Sequence, residues 1–255
     1  SSSSETAYKW LRAFQRAVSM TDGEARRQAV ADIHKRFVQT ATATCRRLVQ
    51  QDPTLKAQAL GGVAGGRKYI VDGILFKYSE DPQVGATPPH FLYGGAQPKI
   101  DRASKAASNE LRACNAYFSF FYEHAIPITV PMQILIDICG ERIVAMPLLP
   151  LGGGEKRSTL VYGSNDGGKT VMNANAVMSQ ALACAAQALH LAAHDIDDVT
   201  VCSAGMCSYL RWYCALHNPT FIGDVEGHVG VDGNLYLLDF SRVFPPRQPS
   251  PRWQL

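Results

Sequence analysis

Four titratable side chains flank one short apolar run near the C-terminal end of the chain: Asp224, Glu226, His228 and Asp239. Carboxylates and imidazoles serve as metal ligands and as general acids or bases. An acid at the end of a buried strand is costly unless it holds a cation, an arginine or backbone N–H groups. Asp239 is therefore a candidate metal ligand, and Asp224, His228 and Asp239 are candidate catalytic groups. In the structural alternative, Asp239 only caps a turn or pairs with Arg242.

The element that must position these groups is a β-hairpin, because Asp232-Gly233 is a two-residue turn signal between apolar runs. The run 235–238 (LYLL) is too apolar for a half-exposed strand, so we expect both of its faces to be covered. That strand would deliver Asp239 at its end, close to the groups that precede the turn. Pro245-Pro246 then ends the regular structure.

A glycine-rich segment, 163–170 (GSNDGGKT), fits the phosphate-loop pattern GxxxxGK[ST] and lies between a predicted strand and a predicted helix over 171–193. Its N–H groups would cradle phosphates, its lysine would neutralise them and its threonine would bind Mg²⁺. The rest of the chain lacks the alternating strands and helices of a nucleotide-binding parallel sheet, which favours a plain glycine-rich turn. The candidate ligand-binding residues of the chain are Gly163, Ser164, Asp166, Gly168, Lys169, Thr170, Glu226 and Arg242.

A kinase-like arrangement is the second way to use these acids, because kinases combine a catalytic Asp with a metal-binding Asp after a hairpin. Lys77 or Lys68 could then reach a phosphate, and Glu110 could pair with that lysine. ATP and Mg²⁺ are the candidate cofactors of this alternative. Against activity, Asp239-Phe240 is followed by Ser241 instead of glycine, and the sequence has no HRD-type catalytic loop.

The composition is that of a globular protein, with 46% hydrophobic and 18% charged residues among 255. No apolar run is long enough for a membrane span and the start lacks a signal-peptide pattern, so we expect a cytoplasmic protein without membrane insertion. Seven cysteines are an odd number, which indicates reduced thiols. A zinc site is the alternative, at an unusual spacing, for Cys202, Cys207, Cys214 and His217.

The predicted fold class is α+β with two lobes and a kinase-like organisation. We expect an N-terminal helical segment (1–56), a strand-rich N-lobe (57–152) and a C-lobe (153–255) that carries the glycine-rich loop and the hairpin. The N-lobe should contain hairpins over 68–78 and 131–150, a loop over 81–98 and one helix over 103–122, with a glycine linker at its end. The N-terminal helices are basic, which indicates either a solvated face or a surface for RNA or a membrane, through Arg26-Arg27, Lys35-Arg36 and Arg46-Arg47.

The sequence resembles the CLU domain of the clustered mitochondria protein family over about residues 30–246. The segments that carry the resemblance are 108–111 (SNEL), 144–152 (VAMPLLPLG), 160–164 (LVYGS), 168–171 (GKTV), 224–228 (DVEGH) and 237–246 (LLDFSRVFPP). The resemblance implies a cytoplasmic protein that is needed for the distribution of mitochondria. It also implies association with mRNAs of mitochondrial proteins, or with ribosome-associated proteins. No catalytic residue is carried over from the family, so a non-catalytic binding module is expected, and a nucleotide-binding phosphotransferase that uses Asp239 is the alternative.

Overall fold

A computed structural model describes residues 6–55, 66–86, 88–153, 156–157, 159–164, 171–191, 194–196, 199–201, 225–241 and 243. The described residues form four helices: α1 (Lys9–Val18), α2 (Gly23–Val49), α3 (Ile100–Glu123) and α4 (Ala176–Ala188). They also form the following strands: β1 (Lys68–Val71), β2 (Ile74–Tyr78), β3 (Gln83–Ala86), β4 (Pro89–Phe91), β5 (Ile128–Thr129), β6 (Ile134–Ile138), β7 (Glu141–Pro147), β8 (Gly152–Gly153), β9 (Lys156–Arg157), β10 (Thr159–Gly163), β11 (Met172–Asn173), β12 (His194–Ile196), β13 (Val199–Val201), β14 (Glu226–Val229) and β15 (Leu235–Leu238). The α+β class predicted from the sequence is confirmed.

An apolar stripe explains the first helix, and a polar N-terminal cap explains where the second helix begins. In α1 the buried side chains recur every three or four residues, at Trp10, Leu11, Phe14 and Ala17. The second helix begins at an aspartate cap, since the Asp22 carboxylate accepts a hydrogen bond of 2.7 Å from the backbone N–H of Ala25. Asp22 is therefore the N-cap residue of α2.

The first sheet is antiparallel, in the order β1-β2-β7-β6. Each of its two hairpins turns through two residues with positive φ: Asp72 (53°) and Gly73 (73°), then Cys139 (50°) and Gly140 (80°). Such turns match the twist of the flanking strands, which is why these hairpins could be predicted from the sequence.

The second sheet has the order β11-β10-β14-β15-β5, and only the last pair is parallel. The predicted hairpin is present as β14 and β15. Its connection is longer than the predicted two residues, because Val229 pairs with Leu235 and five residues, 230–234, lie between the strands. Gly233 in this connection has a φ of 80°.

Three short strand pairs lie outside these sheets: β3–β4, β8–β9 and β12–β13. Two predictions are corrected here. The segment 81–98 is not only a loop, because it contains β3 and β4. The glycines 152–153 do not serve only as a linker, because they pair with β9.

The helix predicted over 171–193 is shorter and begins later. Asn175 caps it by accepting a hydrogen bond of 2.9 Å from the N–H of Met178. Met172 pairs instead with Gly163 as part of β11. The strand before the glycine-rich segment is therefore followed by an antiparallel strand, whereas a phosphate loop leads directly into a helix.

Buried side chains form three clusters. One fills the space between α3, α4 and the second sheet, and another lies between the first two helices and the first sheet. The third contains Leu11, Met146, Leu149 and Tyr236, so it joins α1, the first sheet and β15. The described cysteines are free thiols, at positions 45, 114, 139 and 184. Within the described part of the chain, no helix is long and apolar enough to cross a membrane.

Candidate functional site

The hairpin β14–β15 is buried on both faces, as its apolar sequence predicted. Leu237 lies in the cluster beneath α3 and α4, whereas Tyr236 faces the third cluster, and both are fully buried. His228 is opposite Tyr236 in the register, and Glu226 is opposite Leu238. Because side chains alternate along a strand, Glu226 and His228 share the face that is turned towards the first sheet.

Asp239 follows β15 directly and has a φ of 58°, a left-handed conformation that few non-glycine residues adopt. The Ser241 hydroxyl donates a hydrogen bond of 3.1 Å to its carboxylate. The pKa of Asp239 is raised to about 7, because burial and the negative charges of Glu110 and Glu226 together outweigh the opposing positive charge of Lys77. The carboxyl group of Asp239 is therefore poised to change its charge near neutral pH.

Two charged side chains, Lys77 on the first sheet and Glu110 on α3, interact electrostatically with Asp239. Lys77 Nζ on β2 lies 3.0 Å from Glu110 Oε1 on α3, and the Glu110 side chain is only 8% exposed. Burial lowers the pKa of Lys77, but Glu110 and Asp239 more than offset this effect, so the net pKa is raised. The pairing of Lys77 with Glu110 that the sequence suggested is present.

Two further residues lie beside this pair. The amide of Gln133 donates a hydrogen bond of 3.3 Å to Glu110 Oε1. Lys68 lies directly across from Lys77 in the sheet. Burial and the positive charge of Lys77 lower the pKa of Lys68, while Asp239 opposes them. The contribution of Gln133 was missed in the sequence, because no local pattern brings it to Glu110, 23 residues earlier.

Glu226 and His228 form a second contact near Asp239, in which His228 Nε2 lies 3.0 Å from Glu226 Oε2. Their side chains are 16% and 7% exposed. We call the set of Lys77, Glu110, Asp239, Glu226 and His228 the charged cluster. No group of three His, Cys, Asp or Glu side chains within the described ranges has the arrangement of a metal site. A cation at Asp239 would therefore need further ligands, such as phosphate oxygens or water.

Several predicted site residues lie outside the described residues: Asp166, Gly168, Lys169, Thr170, Asp224 and Arg242. The same holds for the candidate zinc ligands at 202, 207, 214 and 217. Gly163 has a φ of 82°, and a Cβ there would stand 2.0 Å from the Val225 carbonyl oxygen. Ser164 is 2% exposed. Close packing therefore accounts for Gly163, and the ligand-binding role of all these residues remains a prediction.

The charged cluster combines the groups that bind phosphate and a divalent cation in kinases, namely a lysine, the glutamate that orients it and an aspartate. An apolar layer, formed by the third cluster of buried side chains, adjoins Lys77 and Asp239 along their strands. Leu75 precedes Lys77 by two residues and pairs with Met146, and Leu238 directly precedes Asp239. These side chains pack with Leu11, Met146, Leu149 and Tyr236, each of which is at most 8% exposed.

Two open clefts lie elsewhere on the described surface. One, of about 550 Å³, runs between α1 and α2. The other, of about 420 Å³, lies between α2 and α3 and is lined mainly by apolar side chains such as Phe14, Phe118 and Met132. Neither cleft is lined by a member of the charged cluster.

The fold and the site thus define an α+β module in which two sheets enclose a charged cluster. A family model described as "Clustered mitochondria" matches residues 9–248, which is most of the chain. The chain belongs to the clustered mitochondria family, as its sequence motifs predicted.

Curated relatives agree with this assignment. A "Clustered mitochondria protein homolog" of Aedes aegypti is 25% identical over 227 residues, which cover 87% of this chain and 14% of that protein. The homolog of Danio rerio is 24% identical over 223 residues with the same coverage. The "Clustered mitochondria protein" of Arabidopsis thaliana is 30% identical over 142 residues, 55% of this chain and 9% of that protein. The chain thus spans about one-seventh of the mosquito and zebrafish relatives. No solved structure matches the chain significantly.

Proposed function

We propose that this chain is a non-catalytic, cytoplasmic binding module that acts in the distribution of mitochondria and in the handling of mRNAs for mitochondrial proteins. Family membership supports the cellular role. The observation that carries the non-catalytic part is the apolar layer beside Lys77 and Asp239. A nucleotide needs an open apolar slot for its base next to the groups that hold its phosphates. Here Leu11, Met146 and Tyr236 occupy that layer.

The sequence adds two further reasons. Ser241 stands where a kinase has the glycine of its metal-binding motif, and the catalytic loop with its asparagine is missing from the sequence. A buried lysine–glutamate pair can also serve the fold alone, since perturbed charges occur in structural networks as well as in active sites. In this account the charged cluster fixes the two sheets relative to each other.

A nucleotide-binding phosphotransferase is the second candidate, because one observation favours it: Lys77, Glu110 and Asp239 converge from three elements. In that function Lys77 would neutralise phosphate, Glu110 would orient Lys77, and Asp239 would hold Mg²⁺ of an ATP complex. His228 or Asp224 would accept the proton of the acceptor group. Gly168, Lys169 and Thr170 are the candidate contacts from the glycine-rich segment.

RNA or ribosome-associated proteins are the proposed partners, and the basic helix α2 supplies the surface for RNA. Some of its arginines already have partners within the chain. Arg26 stacks on Tyr122, Arg27 pairs with Glu24, and Arg47 pairs with Asp52. The exposed cations that support an RNA surface best are Lys35, Arg36 and Arg46.

RNA binding is tested by filter binding of a single-stranded RNA over a series of salt concentrations. Affinity should fall steeply with salt, and the triple charge reversal of Lys35, Arg36 and Arg46 to glutamate should reduce the slope by about 2, since each lost phosphate contact removes about 0.7. Lys105→Glu is the control, because Lys105 is 77% exposed and belongs to α3 instead of α2. Binding that survives the triple reversal, or falls equally with Lys105→Glu, would exclude this surface.

The cellular role is tested with a chimaera, a full-length relative in which this chain replaces the matching segment. Mitochondrial distribution is then scored by microscopy in cells that lack the relative. We expect rescue by the chimaera, and equal rescue by its Asp239→Asn form. Failure of a folded, normally expressed Asp239→Asn chimaera would favour the phosphotransferase, and failure of both would contradict the proposed role.

A further inference from the structure

The groove between α1 and the first half of α2 is long enough to accommodate one face of an additional α-helix. Its volume is about 550 Å³. On the α1 side it is lined at positions 9, 13, 16 and 17, a spacing that marks one helix face, and Met20 lines it just beyond the end of α1. At 1.5 Å per residue the helical part of this wall, from position 9 to position 17, is roughly 12 Å long, which corresponds to about two helical turns.

Small and apolar side chains form the floor of the groove. Ala13 and Ala17 come from α1, and Ala29 and Ile33 come from α2. Alanines allow two helix axes to approach to about 8–10 Å, the distance at which side chains interdigitate. Met20 stands at one end of the groove and is 38% exposed, which makes it one of the few large apolar side chains in the described structure that reach solvent.

The rim of the groove is positively charged on both sides. Arg16 on α1 and Arg36 on α2 are exposed and face the groove from opposite walls, and none of the described residues that line it carries a carboxylate. Lys9 adds a third cation at one end, where it pairs with Asp72. An occupant with apolar residues along one face and acidic residues on both flanks would match this surface.

We infer that this groove docks an acidic amphipathic α-helix of a partner protein, with small or aliphatic residues at i, i+4 and i+7 on the floor and Asp or Glu beside Arg16 and Arg36. This inference goes beyond the proposed function and does not rest on the charged cluster. It adds a protein partner, recognised by a helix in a groove.

Three other occupants fit the groove less well. Single-stranded RNA binds through stacking on aromatic side chains. Among the described residues that line the groove, the only aromatic one is Trp10, which is 6% exposed and donates its N–H to the Asp72 carbonyl. A flat bilayer does not reach a recessed floor between two helices. A second copy of this chain would bring the same cations against Arg16 and Arg36, and like charges repel.

The test uses the full 255-residue chain and a displayed library of helical peptides about 12 residues long, roughly 18 Å as a helix. Selection against the wild-type chain should enrich peptides with an apolar i, i+4, i+7 stripe flanked by acids. A synthetic peptide of the enriched sequence is then titrated by fluorescence anisotropy. We expect Ala29→Gln, which fills the floor, and Arg16→Glu, which reverses the rim, each to weaken binding at least about tenfold.

The matched control is Ala31→Gln, the same change at an exposed position two residues along α2 that does not line this groove. It should leave the affinity unchanged. Arg16→Glu keeps the test valid if Ala29→Gln does not fold, because Arg16 is exposed. The inference is overturned if no acidic amphipathic peptide is enriched, or if Ala31→Gln weakens binding as much as Ala29→Gln. It is also overturned if RNA or anionic phosphatidylserine vesicles bind in its place and lose that binding on Ala29→Gln.

Discussion

Asp239→Asn should make the protein more stable at pH 8, although it removes a carboxylate from the charged cluster. The folded protein raises the pKa of Asp239 to about 7, from about 3.9 for an ordinary aspartate. Between these two pH values the folded state holds a proton that the unfolded chain has released. The contribution of Asp239 to stability is therefore fully present below pH ~4, and it is lost as the pH rises through ~7.

The size of the effect follows from the shift. A difference of about 3 units corresponds to about 4 kcal/mol at 1.36 kcal/mol per unit. Asp239 is only half-buried, and solvent screening weakens the interactions of a partly exposed group, so we expect roughly half of this value. The asparagine variant should thus exceed the wild type by about 2 kcal/mol at pH 8 and by roughly a third of that at pH 5.

Urea unfolding of both proteins at pH 5, 6, 7 and 8 measures this difference. Asp232→Asn is a control of opposite sign, because hydrogen bonds from Tyr236 and Asn234 lower the pKa of Asp232 against the effect of burial. That variant should lose stability at neutral pH, and the loss should shrink as the pH falls. The reasoning is refuted if Asp239→Asn and the wild type show parallel pH profiles, or if Asp239→Asn is the less stable protein at pH 8.

Two further predictions concern stability and are measured by the same urea titrations. Lys77→Met should lower the free energy of unfolding by about 3 kcal/mol, because it leaves the buried carboxylate of Glu110 without a partner. Adding Glu110→Leu should restore most of this loss. A double variant that is as unstable as the single one would show that the two residues are not coupled. Gly233→Ala should cost about 1 kcal/mol through its positive φ alone, whereas Gly73→Ala should cost clearly more, since a Cβ there meets a backbone carbonyl oxygen at 2.6 Å. Equal costs at the two glycines would contradict the close contact.

The hairpins of the chain could be predicted because their signals are local. Asp72-Gly73 and Cys139-Gly140 adopt the positive φ values that two-residue turns require, and the flanking strands are apolar. The start of α4 could not be predicted in this way. Its first predicted turn pairs with β10 instead, and that pairing depends on residues distant from the helix.

The candidate site, too, could be predicted only where its signals are local in the sequence. The position of Asp239 at the end of a strand buried on both faces was predicted from the apolar run before it. Its approach to Lys77 and Glu110 depends on how two sheets and a helix pack, which the sequence suggested only by analogy with kinases. The occupied apolar layer was not foreseen, because Leu11 comes from a helix more than 200 residues before Tyr236 in the chain.

The response of the protein to nucleotide tests the non-catalytic account most directly. The melting temperature of the wild type and of Asp239→Asn is measured with ATP, with Mg²⁺ and with both, because a ligand that binds only the folded state raises the midpoint. The occupied apolar layer predicts no shift with ATP and Mg²⁺ in either protein. A stabilisation of the wild type by ATP and Mg²⁺ that Asp239→Asn abolishes would contradict this account and establish a nucleotide site at Asp239.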